Sequence, residues 1–211
     1  MNFLELCKRV RQDSGVTGEG PPSVNAQTGI LSRIVNWTKR ANSELQNGQD
    51  WLFLRRVKAA QLIASERSYT PAMLGLEPIR KLTTVFLNGN KLEVVNYSDW
   101  LSNLPRFSKG DVGTPQSITL DDAGNVQFYP VPNAPFDVTF IYQRKAIQLK
   151  ENTDTPAFDE EFHEAIVCKA LVFYADYEED MYRYQRASLE FDRWESLMAH
   201  HYLPQIQLVR G

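Results

Sequence analysis

The sequence has little cysteine and no long hydrophobic run. Its two cysteines in 211 residues, Cys7 and Cys168, lie far apart and form no Cys-x-x-Cys pair. That scarcity excludes a disulfide scaffold and a zinc ribbon, and it is compatible with a reducing compartment. No apolar run approaches the roughly 18 residues that a membrane-spanning helix needs. The first residues also lack the basic flank and cleavage site of a signal peptide, so we expect no membrane partner.

Residues that could bind a metal ion are equally few. His163 precedes Glu164, but Val167 stands where an HExxH motif needs its second histidine. His200 and His201 are adjacent and would project about 100° apart on a helix, so they cannot hold one ion together. We therefore expect no metal site, with His163 packed at a helix start and the other two histidines at a solvated helix end.

Motifs for phosphate binding and nucleophilic catalysis are missing as well. Residues 15–20 contain three glycines but no Gly-Lys-Ser/Thr and no preceding strand, which favours a flexible loop. The sequence contains no GxSxG motif. Cys7 and Cys168 lie on apolar helix faces, where a thiol is usually a small buried hydrophobe. We expect no cofactor and no enzymatic activity.

The charge of the chain is nearly balanced but unevenly distributed. There are 23 Lys and Arg residues against 26 Asp and Glu residues, a formal net charge of −3. This balance argues against a protein that coats DNA, which should be basic. Residues 1–70 carry ten basic and six acidic side chains, whereas residues 151–211 carry five basic and thirteen acidic ones. Such asymmetry can give neighbouring copies of a chain complementary faces.

Two helices are predicted in the N-terminal part. Apolar residues at steps of three and four predict a helix over residues 2–12, with Asn2 as its N-cap. Glycines and prolines predict a long loop over residues 13–28. Thr28 can cap a second helix over residues 29–47, and the apolar residues 51–54 should pack as the link into the next module.

From residue 61 the hydrophobic period changes from 3.6 to 2, which predicts a small antiparallel β module. The dipeptide Asn88-Gly89 is a strong signal for a hairpin turn. Prolines in this region favour short edge strands over a deep parallel sheet. The predicted strands cover residues 83–87, 92–97, 117–120, 126–129 and 137–144, and a one-turn helix is predicted around Trp100.

Helical periodicity returns after Pro156. A first helix is apolar over more than half of its circumference, so we expect it to be central to the fold. A bend is predicted at residues 176–180, and a second helix runs to Pro204. The heptad-like seam of this second helix consists of Tyr184, Ala187, Phe191, Trp194, Met198 and His201.

We therefore predict an α+β fold, since neither pair of helices can close a core alone. A helical bundle domain is formed by the N- and C-terminal helix pairs, residues 1–60 and 150–203. A small antiparallel β module is inserted as residues 61–149, and residues 204–211 form an extended C-terminal tail.

Three stretches of this sequence resemble a known family. The quoted residues are Asn2-Phe3-Leu4-Glu5-Leu6-Cys7 with Val10-Arg11-Gln12, then Gln27-Thr28-Gly29 leading into Ile34-Val35-Asn36-Trp37, and most tellingly Phe162-His163-Glu164-Ala165-Ile166-Val167 with Lys169-Ala170-Leu171, Tyr174-Ala175, Arg183-Tyr184-Gln185-Arg186-Ala187 and Glu190-Phe191. The chain resembles the head-to-tail adaptor (connector) proteins of tailed bacteriophages, particularly short-tailed ones. The likeness covers the helical parts, and the β module only by position and length.

The resemblance implies a structural virion protein without an active site. It implies a ring of about twelve copies below the portal, which joins the capsid vertex to the tail and forms part of the conduit for DNA. The partners would be other copies of the chain, the portal protein and a tail nozzle or tail protein, with DNA only as passing cargo. The location would be the head–tail junction of the virion, and the host cytoplasm during assembly.

Three groups of site residues follow from these expectations. In adaptors the C-terminal segment commonly docks on the portal, and the matching residues here are Pro204, Ile206, Leu208, Val209 and Arg210. The residues expected in helix packing or a ring interface are Trp37, Phe162, Ile166, Tyr174, Phe191 and Trp194. Acidic residues that could line the channel or contact a neighbouring subunit are Glu178, Glu179, Asp180 and Glu190.

Other classes of protein remain as alternatives. A tail-completion or assembly factor would also work by protein contacts but without a ring. A nucleic-acid-binding regulator could use the basic clusters at residues 39–40 and 55–58, although these lack the interleaved aromatic residues of a single-strand platform. A small enzyme would need a site that no motif reveals.

Overall fold

The computed structural model describes residues 1–103 and 111–204, which fall into two compact units. The helical unit takes residues 1–53 and the chain from Ala146 onward, and the β unit takes residues 54–145. The α-helices are α1 (Phe3–Ser14), α2 (Gly29–Gly48), α3 (Tyr97–Asn103), α4 (Glu164–Tyr177) and α5 (Met181–Tyr202). This α+β architecture confirms the predicted fold class. In the part of the chain that the structure describes, no helix has the length and hydropathy needed to cross a bilayer.

The first helix begins where the sequence predicts it. Asn2 Oδ1 accepts a hydrogen bond from Glu5 N at 2.9 Å, and Glu5 Oε2 accepts one from Asn2 N at 2.8 Å. This reciprocal capping box satisfies two backbone donors that a helix start leaves unpaired. The helix ends at Gly15, whose φ of 74° is a left-handed conformation that glycine adopts without strain.

The central helix of the helical unit is α4. It contacts α1, α2 and α5, which confirms the central position predicted from its broad apolar surface. The side chains of Ile166 and Ala170 are fully buried, as are Phe3 and Leu6 of α1 and Ile34 of α2. Burial of an aliphatic or aromatic side chain contributes about 1.5–3 kcal/mol, so this interior is the main source of stability for the unit.

The apolar link after α2 packs as predicted at Trp51 and Leu54, which are buried, but not at Leu52, which is exposed. Trp51 is fully buried and its Nε1 donates a hydrogen bond to Leu45 O at 2.7 Å. Its ring stacks on Phe53 with a centroid separation of 5.9 Å. Trp51 therefore anchors the end of α2 in the interior of the helical unit.

The described residues of the β unit form two four-stranded sheets and a two-stranded one. Their strands are β1 (Arg55–Leu62), β2 (Ser68–Tyr69), β3 (Ile79–Leu87), β4 (Asn90–Lys91), β5 (Glu93–Val94), β6 (Val112–Gly113), β7 (Ser117–Leu120), β8 (Val126–Tyr129), β9 (Val131–Pro132) and β10 (Phe136–Arg144). The strand orders are β1-β10-β3-β4, β2-β8-β7-β5 and β6-β9. Pairing is mainly antiparallel, and the two parallel pairs, β5 with β7 and β6 with β9, are each two residues long.

One apolar core fills the β unit. Val138, Phe140 and Tyr142 of β10 point into it, as the alternation of this strand predicts. They meet Val85 of β3 and Phe128 of β8, so side chains from both larger sheets share the same interior. The predicted hairpin of residues 117–120 and 126–129 is confirmed by the β7–β8 pairing.

Two parts of the β unit differ from the sequence prediction. Residues 55–62 form a full strand, β1, which pairs with β10 along its entire length. The Asn88-Gly89 turn is present, but its returning strand β4 is only Asn90–Lys91, and residues 93–94 then pair with β7 in the other sheet. The predicted second strand over residues 92–97 is wrong beyond this point because α3 begins at Tyr97.

Candidate assembly surfaces

The residues expected in helix packing or a ring interface have different degrees of exposure. Phe162, Ile166, Tyr174 and Phe191 are buried within the chain. Trp37 and Trp194 are half-buried. Four of these six side chains therefore already have packing partners in a single chain, and only the two tryptophans keep substantial surface for another molecule.

Trp37 belongs to an aromatic group between α2 and the end of α4. Its ring lies 6.0 Å from that of Tyr174 and 5.6 Å from that of Tyr177. The Arg33 guanidinium lies 4.4 Å from the centroid of the Tyr177 ring, a distance at which a cation is attracted to the ring face. These contacts hold α2 against α4 and leave Tyr177 about half exposed.

Trp194 lines an open cleft of about 650 Å³ between α1, α4 and α5. Its walls combine charged and apolar side chains, and Arg9 bridges two of the charged ones by pairing with Asp13 at 3.1 Å and Glu164 at 3.3 Å. Cys168 also lines the cleft. Burial, followed by the charges of neighbouring carboxylates, raises the pKa of its thiol to about 12, so this cysteine is protonated at neutral pH and is a poor nucleophile.

The four predicted acidic residues do not form one cluster. Asp180 is the N-cap of α5, where its Oδ1 accepts a hydrogen bond from Arg183 N at 3.0 Å, and its other oxygen pairs with the Arg183 side chain at 3.1 Å. Glu190 lies further along α5 and pairs with Arg193 at 3.7 Å. Glu178 and Glu179 are exposed at the turn between α4 and α5. Asp180 therefore stabilises the start of α5, whereas Glu178 and Glu179 project into solvent.

The beginning of α5 is attached to the end of α1. Arg183 Nη1 donates a hydrogen bond to the backbone oxygen of Ser14 at 2.6 Å. Apart from this contact, the first half of α5 is poorly covered, because none of residues 181–190 is buried. The buried residues of α5 are Phe191, Met198 and Tyr202, which all follow residue 190.

Three exposed apolar side chains on the outer side of α5 were not predicted from the sequence. Tyr182 is 75% exposed and Leu189 is 71% exposed. They are seven residues apart and therefore lie on the same side of the helix, about 180° around from Phe191. Met181, at 66% exposure, lies beside them. The heptad-like seam drew attention to the opposite side of the helix, although the two positions are visible in the sequence as an i, i+7 pair.

The structure places His163 at the start of α4, as predicted. It is 3% exposed, its Nε2 lies 3.1 Å from Phe158 O, and its Nδ1 lies 3.0 Å from the Met1 ammonium group. Burial is the largest of the effects that lower the pKa of its imidazole, and the positive charge of the Met1 ammonium acts in the same direction. The neutral ring is thus a packed part of the fold.

This lowered pKa leads to a prediction about acid stability. Protonating a group whose pKa is lower in the folded state favours unfolding, so its contribution is complete above the unfolded value of about 6.5 and is lost as pH falls from there. We expect the urea midpoint to fall between pH 7 and pH 5.5, and the fall to be smaller in His163→Gln. The exposed His200→Gln is the control and should follow the wild type, whereas identical profiles for wild type and His163→Gln would contradict this.

A cluster of possible ligand atoms was also missed by sequence reasoning. Asp159, Glu161 and His201 bring one ligand atom each to within 4.8 Å of one another. All three are exposed, and Asp159 Oδ2 already accepts a hydrogen bond from the Tyr202 hydroxyl at 2.7 Å. Because His201 lies some 40 positions after the two carboxylates, no spacing motif could have revealed the group. It has the character of a surface ion-pair cluster.

The predicted docking tail is described only at its beginning. Pro204 follows the end of α5 and is exposed. Ile206, Leu208, Val209 and Arg210 lie outside the described residues.

These features agree with one class of protein. The helical unit exposes large apolar side chains on α5 and carboxylates at the turn before it, and buried His163 packs at a helix start. Such surfaces are typical of a structural protein that binds other protein chains. The family model described as SU10 adaptor protein matches residues 1–203, so the chain belongs to the SU10 adaptor protein family. The chain is therefore a bacteriophage adaptor with a structural role at the head–tail junction of the virion. No curated protein matches it.

Proposed function

We propose that the chain assembles as a ring of about twelve copies, in which each copy contacts two neighbours through different surfaces. The ring lies below the portal, joins the capsid vertex to the tail and forms part of the conduit for DNA. It forms in the host cytoplasm during virion assembly and makes or breaks no covalent bond. Membership of the SU10 adaptor protein family supports the location.

The exposed apolar side chains of α5 support this proposal. Apolar surface that a chain leaves in water is available for contact with other molecules. Tyr182 and Leu189 are more than 70% exposed on a helix that is otherwise an integral part of the bundle. A neighbouring subunit in a closed ring would remove this surface from water.

The two ends of such a ring contact different proteins. Residues 204–211 dock on the portal protein, and the β module faces the tail nozzle or another tail protein. The negative surface within residues 151–195 either lines the channel, where it repels the phosphates of passing DNA, or faces a basic surface of the next copy. In either case DNA is cargo and not a ligand.

Electron microscopy of the protein mixed with its portal tests this function. We expect a closed ring of the chain to be attached to the portal, with a continuous axial channel. The same protein without portal is the control, because a monomer in that sample shows that the portal templates the ring. Attachment as isolated copies without a ring would contradict the proposal and would favour a tail-completion or assembly factor.

A further inference from the structure

The exposed turn between α4 and α5 combines negative charge with apolar surface. We call this surface the acidic corner and define it by Asp176, Glu178, Glu179, Met181 and Tyr182, all of which are exposed. Leu189 is exposed two turns further along α5 on the same side, with Gln185 and Arg186 between it and Tyr182. Asp180 is excluded because it caps α5 and pairs with Arg183.

A surface of opposite character lies on the β unit. In the sheet β1-β10-β3-β4, Val57 faces Ile141 across one ladder, and Thr139 faces Phe86 across the next. These side chains point away from the core, because Val138, Phe140 and Val85 alternate with them and point into it. Val57 is 66% exposed, and Phe86 and Ile141 are half-buried.

The margins of this sheet face are basic. Arg55 begins β1 on the same side as Val57, and Lys91 lies opposite Phe86. Both are exposed. We call the surface formed by Arg55, Val57, Phe86, Lys91 and Ile141 the outer sheet face.

The charges of the two units agree with this local difference. Residues 1–53 and 146–211 carry twelve basic and eighteen acidic side chains, a net charge of −6. Residues 54–145 carry eleven basic and eight acidic side chains, a net charge of +3. Opposite net charges steer the helical unit of one copy towards the β unit of another, and local complementarity then selects the register of the contact.

We propose that the acidic corner of one copy docks on the outer sheet face of the next copy. This inference rests on the proposed ring and identifies its subunit contact. Glu178 and Glu179 are attracted to the basic margins that Arg55 and Lys91 form on the neighbour, and Tyr182 and Leu189 face the apolar centre around Val57. The acidic corner therefore faces a subunit, not the DNA channel.

The chemistry of the two surfaces favours a second copy as the occupant. Two acidic corners would repel each other, and so would two outer sheet faces, so neither surface pairs with itself. A contact between unlike surfaces is heterologous, and repetition of a heterologous contact closes into a ring when the rotation permits. The same chain thus supplies both complementary halves of the interface.

A charge swap tests the contact in the complete chain with its portal. We expect Glu178→Lys with Glu179→Lys to weaken ring assembly at least tenfold, and Arg55→Glu with Lys91→Glu to do the same. A chain carrying all four changes should assemble again, because the attraction is restored with its sign reversed. Glu19→Lys with Asp122→Lys changes two exposed carboxylates elsewhere and is the matched control that should assemble normally.

The apolar part of the contact has its own variant. Tyr182→Ser with Leu189→Ser should also reduce assembly at least tenfold, whereas Met73→Ser, an exposed apolar residue outside both surfaces, should not. Circular dichroism shows that each variant is folded. Normal assembly of the Glu178/Glu179 variant, or failure of the four-fold swap to restore assembly, would overturn this contact while the wild-type ring upholds the proposed function. A wild-type protein that forms no ring on the portal would overturn both.

Discussion

Deletion of residues 204–211 is expected to abolish attachment to the portal. The segment follows the end of α5, where Pro204 prevents the helix from continuing. Its sequence carries Ile206, Leu208 and Val209, apolar residues of the kind that anchor an extended segment in a partner's groove. Because such a segment supplies most of its affinity through a few apolar anchors, its loss should reduce co-sedimentation with the portal to the background level.

The deletion variant should remain folded but no longer bind the portal. The circular dichroism spectrum should remain that of the full-length chain, since the helices and strands described above all end before residue 204. A full-length variant, Ile206→Ser with Leu208→Ser and Val209→Ser, separates the anchors from chain length and should also be detached. Retained attachment of both variants would assign portal binding to another part of the chain.

Replacement of Ile166 by alanine is expected to destabilise the isolated chain by about 2–5 kcal/mol. Ile166 is fully buried on α4, the helix that contacts the three other helices of the bundle. Removing three methyl or methylene groups from a packed interior loses their transfer free energy and leaves a cavity. Urea unfolding, followed by circular dichroism, measures the loss.

The matched control for Ile166→Ala is Leu189→Ala on α5. Leu189 is 71% exposed, so its truncation should change the free energy of unfolding by no more than about 0.5 kcal/mol. The pair of variants separates helix packing from a contact between subunits, which the sequence left as alternatives for Ile166. A larger loss of stability for Leu189→Ala than for Ile166→Ala would reverse the assignment of these two side chains.

The parts of the fold that could be predicted are those determined by nearby residues. The capping box of Asn2 and Glu5 and the turn at Asn88-Gly89 each lie within four residues of sequence. The broad apolar surface of α4 likewise follows from one short stretch of sequence, because side chains three and four residues apart lie on the same face of a helix. Local rules fix such features before the chain has any tertiary contact.

The parts that could not be predicted depend on residues far apart in the sequence. The strand β1 carries Arg55, Arg56 and Lys58 and shows weak alternation, so only its pairing with β10, some 80 residues later, makes it a strand. The residues of β5 leave the hairpin to pair with β7, a choice made by the shared core. The exposure of Tyr182 and Leu189 on α5 could not be predicted for a related reason. The periodicity of one helix does not show which of its apolar side chains the other helices will cover.

The β unit begins and ends on neighbouring strands. Arg55 at the start of β1 lies directly opposite Gln143 near the end of β10, and paired residues in an antiparallel ladder have Cα atoms only about 5 Å apart. The chain therefore leaves the helical unit and returns to it at two neighbouring points, however large the β unit between them is. A different module with the same paired ends would therefore join the helical unit at the same two points of the chain.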